Sequence, residues 1–101
     1  MLLMKKVFFD AIRAGRKTTT LRFWRRPMVK AGQIHSIRSL GHVKIDNVDL
    51  VRLSKLTNAD AVADGFANLD ELLSALKSLY PPSQRQGRKL YRVSFQFLED
   101  C

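Results

Sequence analysis

Lys17, Thr18, Thr19, Thr20 and Arg22 place an amine, three hydroxyls and a guanidinium within six consecutive residues. A neutral amine beside a threonine hydroxyl is one way to activate a nucleophile. A protonated amine at the same place instead binds phosphate or holds a developing oxyanion. Arg13, Arg16 and Arg22 flank Lys17, and both neighbouring cations and partial burial favour the neutral form of a lysine. The plainer reading of the stretch is a solvated lysine on an edge strand followed by good strand formers. In a regular strand Thr18, Thr20 and Arg22 share one face, and Lys17 and Thr19 share the other. Lys17 and Thr20 can then meet only where the chain is still turning at Lys17, which a glycine at position 15 permits.

The charge distribution concentrates attention on the same stretch. Residues between Ala11 and Ile45 include nine Lys or Arg and no Asp or Glu, while the rest of the chain balances, so the formal charge of +9 belongs to this one segment. A field so one-sided points to a polyanionic partner. Arg22, Arg25 and Arg26 beside Trp24 add phosphate-pairing groups next to an aromatic that stacks on an unpaired base or, alternatively, packs into the core. If Trp24 is core, Phe23 faces outward. Arg85, Arg88, Lys89 and Arg92 either extend the basic surface or form a solvated loop.

The elements that must position these groups follow from pattern. At 101 residues the chain is read as one domain, residues 1–101. No apolar run approaches the ~20 residues of a membrane-spanning helix. A single cysteine, Cys101, leaves no internal disulfide and no cysteine-rich metal site, and no cofactor is called for. His35 and His42 lack a nearby carboxylate and do not make a metal site. A cytoplasmic setting with no membrane partner is the simplest reading.

Residues 2–6 read as a short strand. Phe8, Ala11 and Ile12 lie on one helical face, and Gly15 ends that helix. Thr18 to Trp24 reads as a strand and Gln33 to Arg38 as another. A longer strand follows Gly41, with parity changes in its apolar residues near Asp46-Asn47 and near Leu50-Val51 that ask for bulges. Thr57 with Asp60, and Asn68 with Glu71, are capping boxes opening two helices. The second carries Leu69, Leu72, Leu73, Leu76 and Leu79 as a core stripe and stops at Tyr80-Pro81-Pro82. Ser83 to Lys89 reads as a basic loop. Tyr91, Val93, Phe95 and Phe97 alternate with polar residues in a closing strand. Curved short strands with helices beside them give an α+β fold, a small β-barrel of about five to six strands with two to three flanking helices.

Gly15-Arg16-Lys17-Thr18-Thr19-Thr20-Leu21-Arg22 resembles the Gly-x-Lys-Thr-x-x-x-Arg signature of ASCH domains, which are similar in fold to the RNA-binding PUA domains. The helix over 9–14, the Val29-Lys30-Ala31-Gly32 turn, Asp64-Gly65-Phe66, the stretches from Leu69 to Leu72 and from Leu79 to Pro81, and the closing Tyr91 to Phe95 resemble the family in the same order. The resemblance implies a PUA-like barrel with a cleft beside the Gly-x-Lys element. It also implies binding of RNA or a nucleotide, through Gly15, Arg16, Lys17, Thr18, Arg22, Trp24, Arg25 and Arg26. Some small members are amidohydrolases of N4-acetylcytidine, and others have been described as ribonucleases. In the amidohydrolases the working residues are the lysine, the threonine three positions later and a glutamate. The first two carry over to Lys17 and Thr20. The glutamate's place falls at or beside Asp64, a shorter acid whose plainer reading is a surface carboxylate at a helix end. The expectation is a binder of RNA or a nucleotide, with hydrolysis of a modified nucleoside by Lys17, Thr20 and Asp64, or cleavage of RNA, as the enzymatic alternatives.

Overall fold

The computed structural model describes residues 4–99. Cys101 and the beginning of the strand expected over 2–6 lie outside them. The elements in order are a 3-10 turn at Lys6–Phe8, α1 (Phe9–Arg13), β1 (Thr19–Trp24), β2 (Ile34–Ile37), β3 (Gly41–Leu50), a 3-10 turn at Leu53–Lys55, α2 (Asn58–Ala63), α3 (Leu69–Leu79), α4 (Pro82–Arg85) and β4 (Lys89–Leu98). The four strands form one antiparallel sheet in the order β1-β4-β3-β2, curled into a half-barrel. The α+β barrel-like class is as expected, with four strands among the described residues rather than five or six. Lys6, the end of the anticipated first strand, belongs instead to the turn that leads into α1. Pro82 opens the short α4 inside the stretch expected to be loop, because proline suits a helix's first turn.

β4 is the spine, pairing with β1 on one side and β3 on the other. From Tyr91 to Gln96 its residues alternate between buried and less buried, as the sequence pattern requires. β3 changes register between Ile45 and Asn47, where the first parity change had placed a bulge. The second parity change coincides with the end of β3 at Leu50.

The sheet is covered on both faces. One face packs Phe9, Ile12, Val43, Ile45, Val93 and Phe95 beneath α1. The other packs Leu21, Phe23 and Leu90 against Leu56, Ala61, Leu72 and Leu76 of the α2–α3 layer. This two-sided burial revises the reading of the aromatic pair. Phe23 is buried under α3, edge-on to Tyr80 at 5.3 Å, while Trp24 is half-buried on the opposite face, 6.1 Å from Tyr91. Neither ring is left fully outside.

The α2–α3 layer is fastened by its caps. Thr57 accepts from the Asp60 amide, and Asp60 Oδ2 accepts from both the Thr57 amide, at 2.9 Å, and the Thr57 hydroxyl, at 3.1 Å. Asn68 accepts from the Glu71 amide at 3.0 Å, but Glu71 reaches back to Ala67 rather than to Asn68. Asp60 has a second task, because its Oδ1 accepts from Arg92 Nη1 of β4 at 3.0 Å. Arg92 also donates to Asp49 of β3, so this arginine joins three elements and does not extend a basic surface. Asp60→Ala is therefore expected to cost about 2 kcal/mol, roughly half from the cap and half from the bond to Arg92. Asp49→Ala should cost about 1 kcal/mol or less. Urea unfolding of both variants at pH 7 checks the order.

Candidate functional site: a buried lysine and the cavity beside it

Two helix ends meet at the start of β1. Helix α1 closes with the Gly15 amide donating to Ile12 and the Arg16 amide to Ala11, and Gly15 takes the positive φ that this ending needs. Helix α2 closes in the same way, with the Gly65 amide on Val62, the Phe66 amide on Ala61, and Gly65 at φ +94°. A helix leaves its last carbonyls without intrahelical partners. Here the chain leaving α1 supplies them. The Thr18 amide donates to Ala63 O at 2.8 Å, and Lys17 Nζ donates to Asp64 O.

Lys17 is 2% exposed. Its ammonium also donates to Thr19 O at 2.8 Å, lies 3.5 Å from Asp64 Oδ2 and sits 4.5 Å from the centre of the Phe8 ring. Asp64 is 5% exposed and its Oδ1 accepts from the Thr19 hydroxyl at 3.2 Å. Gly65 is required by space as well as by φ, since a Cβ there would come within 3.1 Å of Phe8 Cδ1 and 3.3 Å of Lys17 Cδ.

Burial dominates the titration of both partners. It lowers the Lys17 pKa to about 8, against the opposing pull of Asp64. It raises the Asp64 pKa to about 6, against Lys17 and the Thr19 hydroxyl. Near pH 7 both remain charged, each closer to neutrality than in water.

A cavity of about 310 Å³ opens beside this pair. The consecutive residues Thr20, Leu21 and Arg22 all line it. Since their side chains alternate in direction, the cavity runs along the outer edge of β1, where the two layers of the fold meet. Phe8 and Phe66, packed edge to face at 5.5 Å, and Tyr80 supply aromatic wall, with Lys17 and Asp64 also at the surface of the cavity. Arg22 is half-buried and its Nε donates to Thr20 Oγ1 at 3.1 Å. Burial lowers the Arg22 pKa as well.

No family model and no curated protein sequence matches this chain. Solved structures do. An ASCH domain from Lactobacillus crispatus superposes with a TM-score of 0.76 at 14% identity, covering 89% of this chain and 69% of that one. The chain has the fold of an ASCH domain. A hypothetical protein, PH0355, matches with a TM-score of 0.77 at 15% identity over 93% of this chain and 94% of that chain. Protein PF0455 of Pyrococcus furiosus matches with a TM-score of 0.73 at 13% identity over 97% and 96%.

On this ASCH fold Lys17, Thr20, Arg22 and Asp64 are brought to one cavity. The surface readings of Lys17 and Asp64 are both overturned by burial. The hydroxyl on Asp64 belongs to Thr19 and not to Thr20, whose hydroxyl accepts from Arg22 instead. Gly15, Arg16 and Thr18 lie exposed at one end of β1. Arg25 and Arg26 lie exposed beyond its other end, and a six-residue strand separates the two groups by roughly 20 Å. Trp24 does not line the cavity. The sequence reading missed Phe8, Phe66 and Tyr80 as walls, because the first looks like a helix's inner face and the last like a helix stop. Among the described residues no cluster of three or more His, Cys, Asp or Glu could hold a metal, and His35 Nε2 lies 2.8 Å from Gln33 Oε1.

The pKa shifts fix the sign of a pH dependence. Asp64 is raised from 3.8 to about 6, so between those values the folded state holds the proton more tightly and stability falls as pH rises. Lys17 is lowered from 10.5 to about 8, so stability is regained only above pH 8. Urea midpoints of the wild type relative to Asp64→Asn should decline from pH 4 to pH 6. A difference that is constant or rises over that window would show that Asp64 is not buried as described.

Proposed function

We propose that this ASCH-fold domain binds a nucleobase, presented by RNA or by a nucleotide, in the cavity along the edge of β1. The observation that carries the reading is a small-molecule-sized cavity joining aromatic walls to a half-buried arginine and a threonine hydroxyl. Unpaired bases are held by stacking on aromatic rings and by hydrogen bonds to their polar edges. Phe8, Phe66 and Tyr80 suit the first, Thr20 and Arg22 the second. Arg16, Lys17, Arg22, Arg25 and Arg26 supply a field that draws in the phosphates of such a ligand. Arg16, Arg25 and Arg26 act through that field, not as contacts to the base, since none of them lines the cavity.

One observation favours a second reading, hydrolysis of an amide on a modified nucleoside such as N4-acetylcytidine. Lys17 and Asp64, with pKa values of about 8 and about 6, sit at the same cavity as the Thr20 hydroxyl. In that reaction Thr20 Oγ attacks the acyl carbon, its proton passes to the Asp64 carboxylate, and the Lys17 ammonium supports the oxyanion that forms. The amine of the base leaves with a proton, and water then releases the acid from Thr20. The resting geometry serves binding more directly, because Thr20 Oγ1 already accepts from Arg22 while Lys17 donates to two backbone carbonyls.

Ligand-observed NMR with the four ribonucleosides and N4-acetylcytidine tests both readings in one series. At least one nucleoside should bind, and Arg22→Gln and Thr20→Val should each weaken it by about tenfold or more, the worth of one hydrogen bond to a charged group. Absence of binding, or binding indifferent to both substitutions, contradicts the base site. Release of cytidine and acetate that is lost in Lys17→Met would establish the hydrolase instead.

A further inference from the structure

A second concavity of about 740 Å³ lies on the other flank of α3. Leu53, Leu73 and Leu76 form its floor, Arg52, Lys77 and Arg85 its rim, and none of the described acids lines it. None of the three cations is paired with a carboxylate among the described residues. Arg92 shows the contrast, its charge being answered by Asp49 and Asp60. Leucines set under three cations match a ligand with a flat apolar part and an anionic part. A nucleotide has both.

The groove also adjoins the first cavity. Leu76 lines both, and Arg85 Nε donates to the carbonyl of Tyr80, a residue of the first cavity's wall, at 2.6 Å. The Arg85 guanidinium is held in place by the Phe23 ring, 5.4 Å away. One layer of side chains therefore separates the two hollows.

We propose that this groove seats the nucleotide adjacent to the one whose base fills the cavity, so that the domain takes a base within single-stranded RNA in preference to a free nucleoside. The inference rests on the cavity being a base site. The phosphate between the two nucleotides lies against Lys77 and Arg52 while the second base covers Leu53 and Leu73.

The test uses fluorescein-labelled RNA hexamers of mixed sequence, titrated by anisotropy at several salt concentrations, beside the free nucleosides. Arg52→Gln/Lys77→Gln removes two exposed charges from the rim. Arg38→Gln/Lys44→Gln removes the same formal charge from exposed positions on and beside the β2–β3 hairpin. The rim variant should bind the hexamers more weakly, and its slope of log affinity against log salt should be shallower by about 1.4, two contacts at ~0.7 each for a single strand. It should bind nucleosides like the wild type, and the hairpin variant should keep the wild-type slope. Equal slopes in both variants, with nucleoside binding intact, would overturn the groove and leave the base site standing. Failure of nucleosides and hexamers alike to bind would overturn both.

Discussion

The structure depends on a cation that has been taken out of water. Lys17 is surrounded by a helix-end carbonyl, a strand carbonyl, a carboxylate and an aromatic face. Each offsets part of the desolvation that an ammonium suffers on burial, and none would suffice alone. The arrangement requires two helices to end within reach of each other, and both do so through a glycine in the left-handed region. It requires Gly65 to have no side chain, because Phe8 and the Lys17 stem occupy that space. Removing Asp64 while keeping the ammonium would leave a charge only partly answered, a change of the kind that costs on the order of 3–5 kcal/mol.

The same contact sets up the site. Anchoring Lys17 and Thr18 on the end of α2 fixes where β1 begins, and hence the register in which Thr20, Leu21 and Arg22 pass along the sheet edge. Among the described residues β1 has a neighbour on one side only, so its outer edge meets the space between the Phe8 turn and α3. A sheet packed on both faces leaves its edge as the place where a ligand can reach groups from either layer. The charged pair at the cavity, the arginine beside it and the aromatic walls are consequences of one anchoring point.

How much of this was legible in the sequence can be told residue by residue. The glycine after α1, the cap at Thr57, the bulge near Asp46 and the alternation in β4 are local events, each set by a few neighbouring side chains, and they came through. The ordered set of short motifs pointed to the ASCH fold, which the solved structures match. Burial did not come through. Whether Lys17 and Asp64 are solvated depends on two segments 47 residues apart in sequence that meet only in the folded chain. The choice between Thr19 and Thr20 was invisible for a related reason: alternation says that they point apart, but not which side holds the acid. Alternation divided Trp24 and Phe23 between the core and the surface without saying which went where, and that division holds only for a sheet with one covered face. α3 covers the second face, and its leucine stripe was the clue that the sheet has two.

The central claim is that Lys17 is a buried ammonium, and its titration tests this directly. In protein carrying ¹³C-labelled lysine, the Lys17 Cε resonance, assigned by its absence in Lys17→Arg, can be followed by NMR from pH 6 to pH 11. A midpoint near pH 8 is the predicted result. A midpoint near pH 10.5, the ordinary value for a lysine in water, would contradict the account.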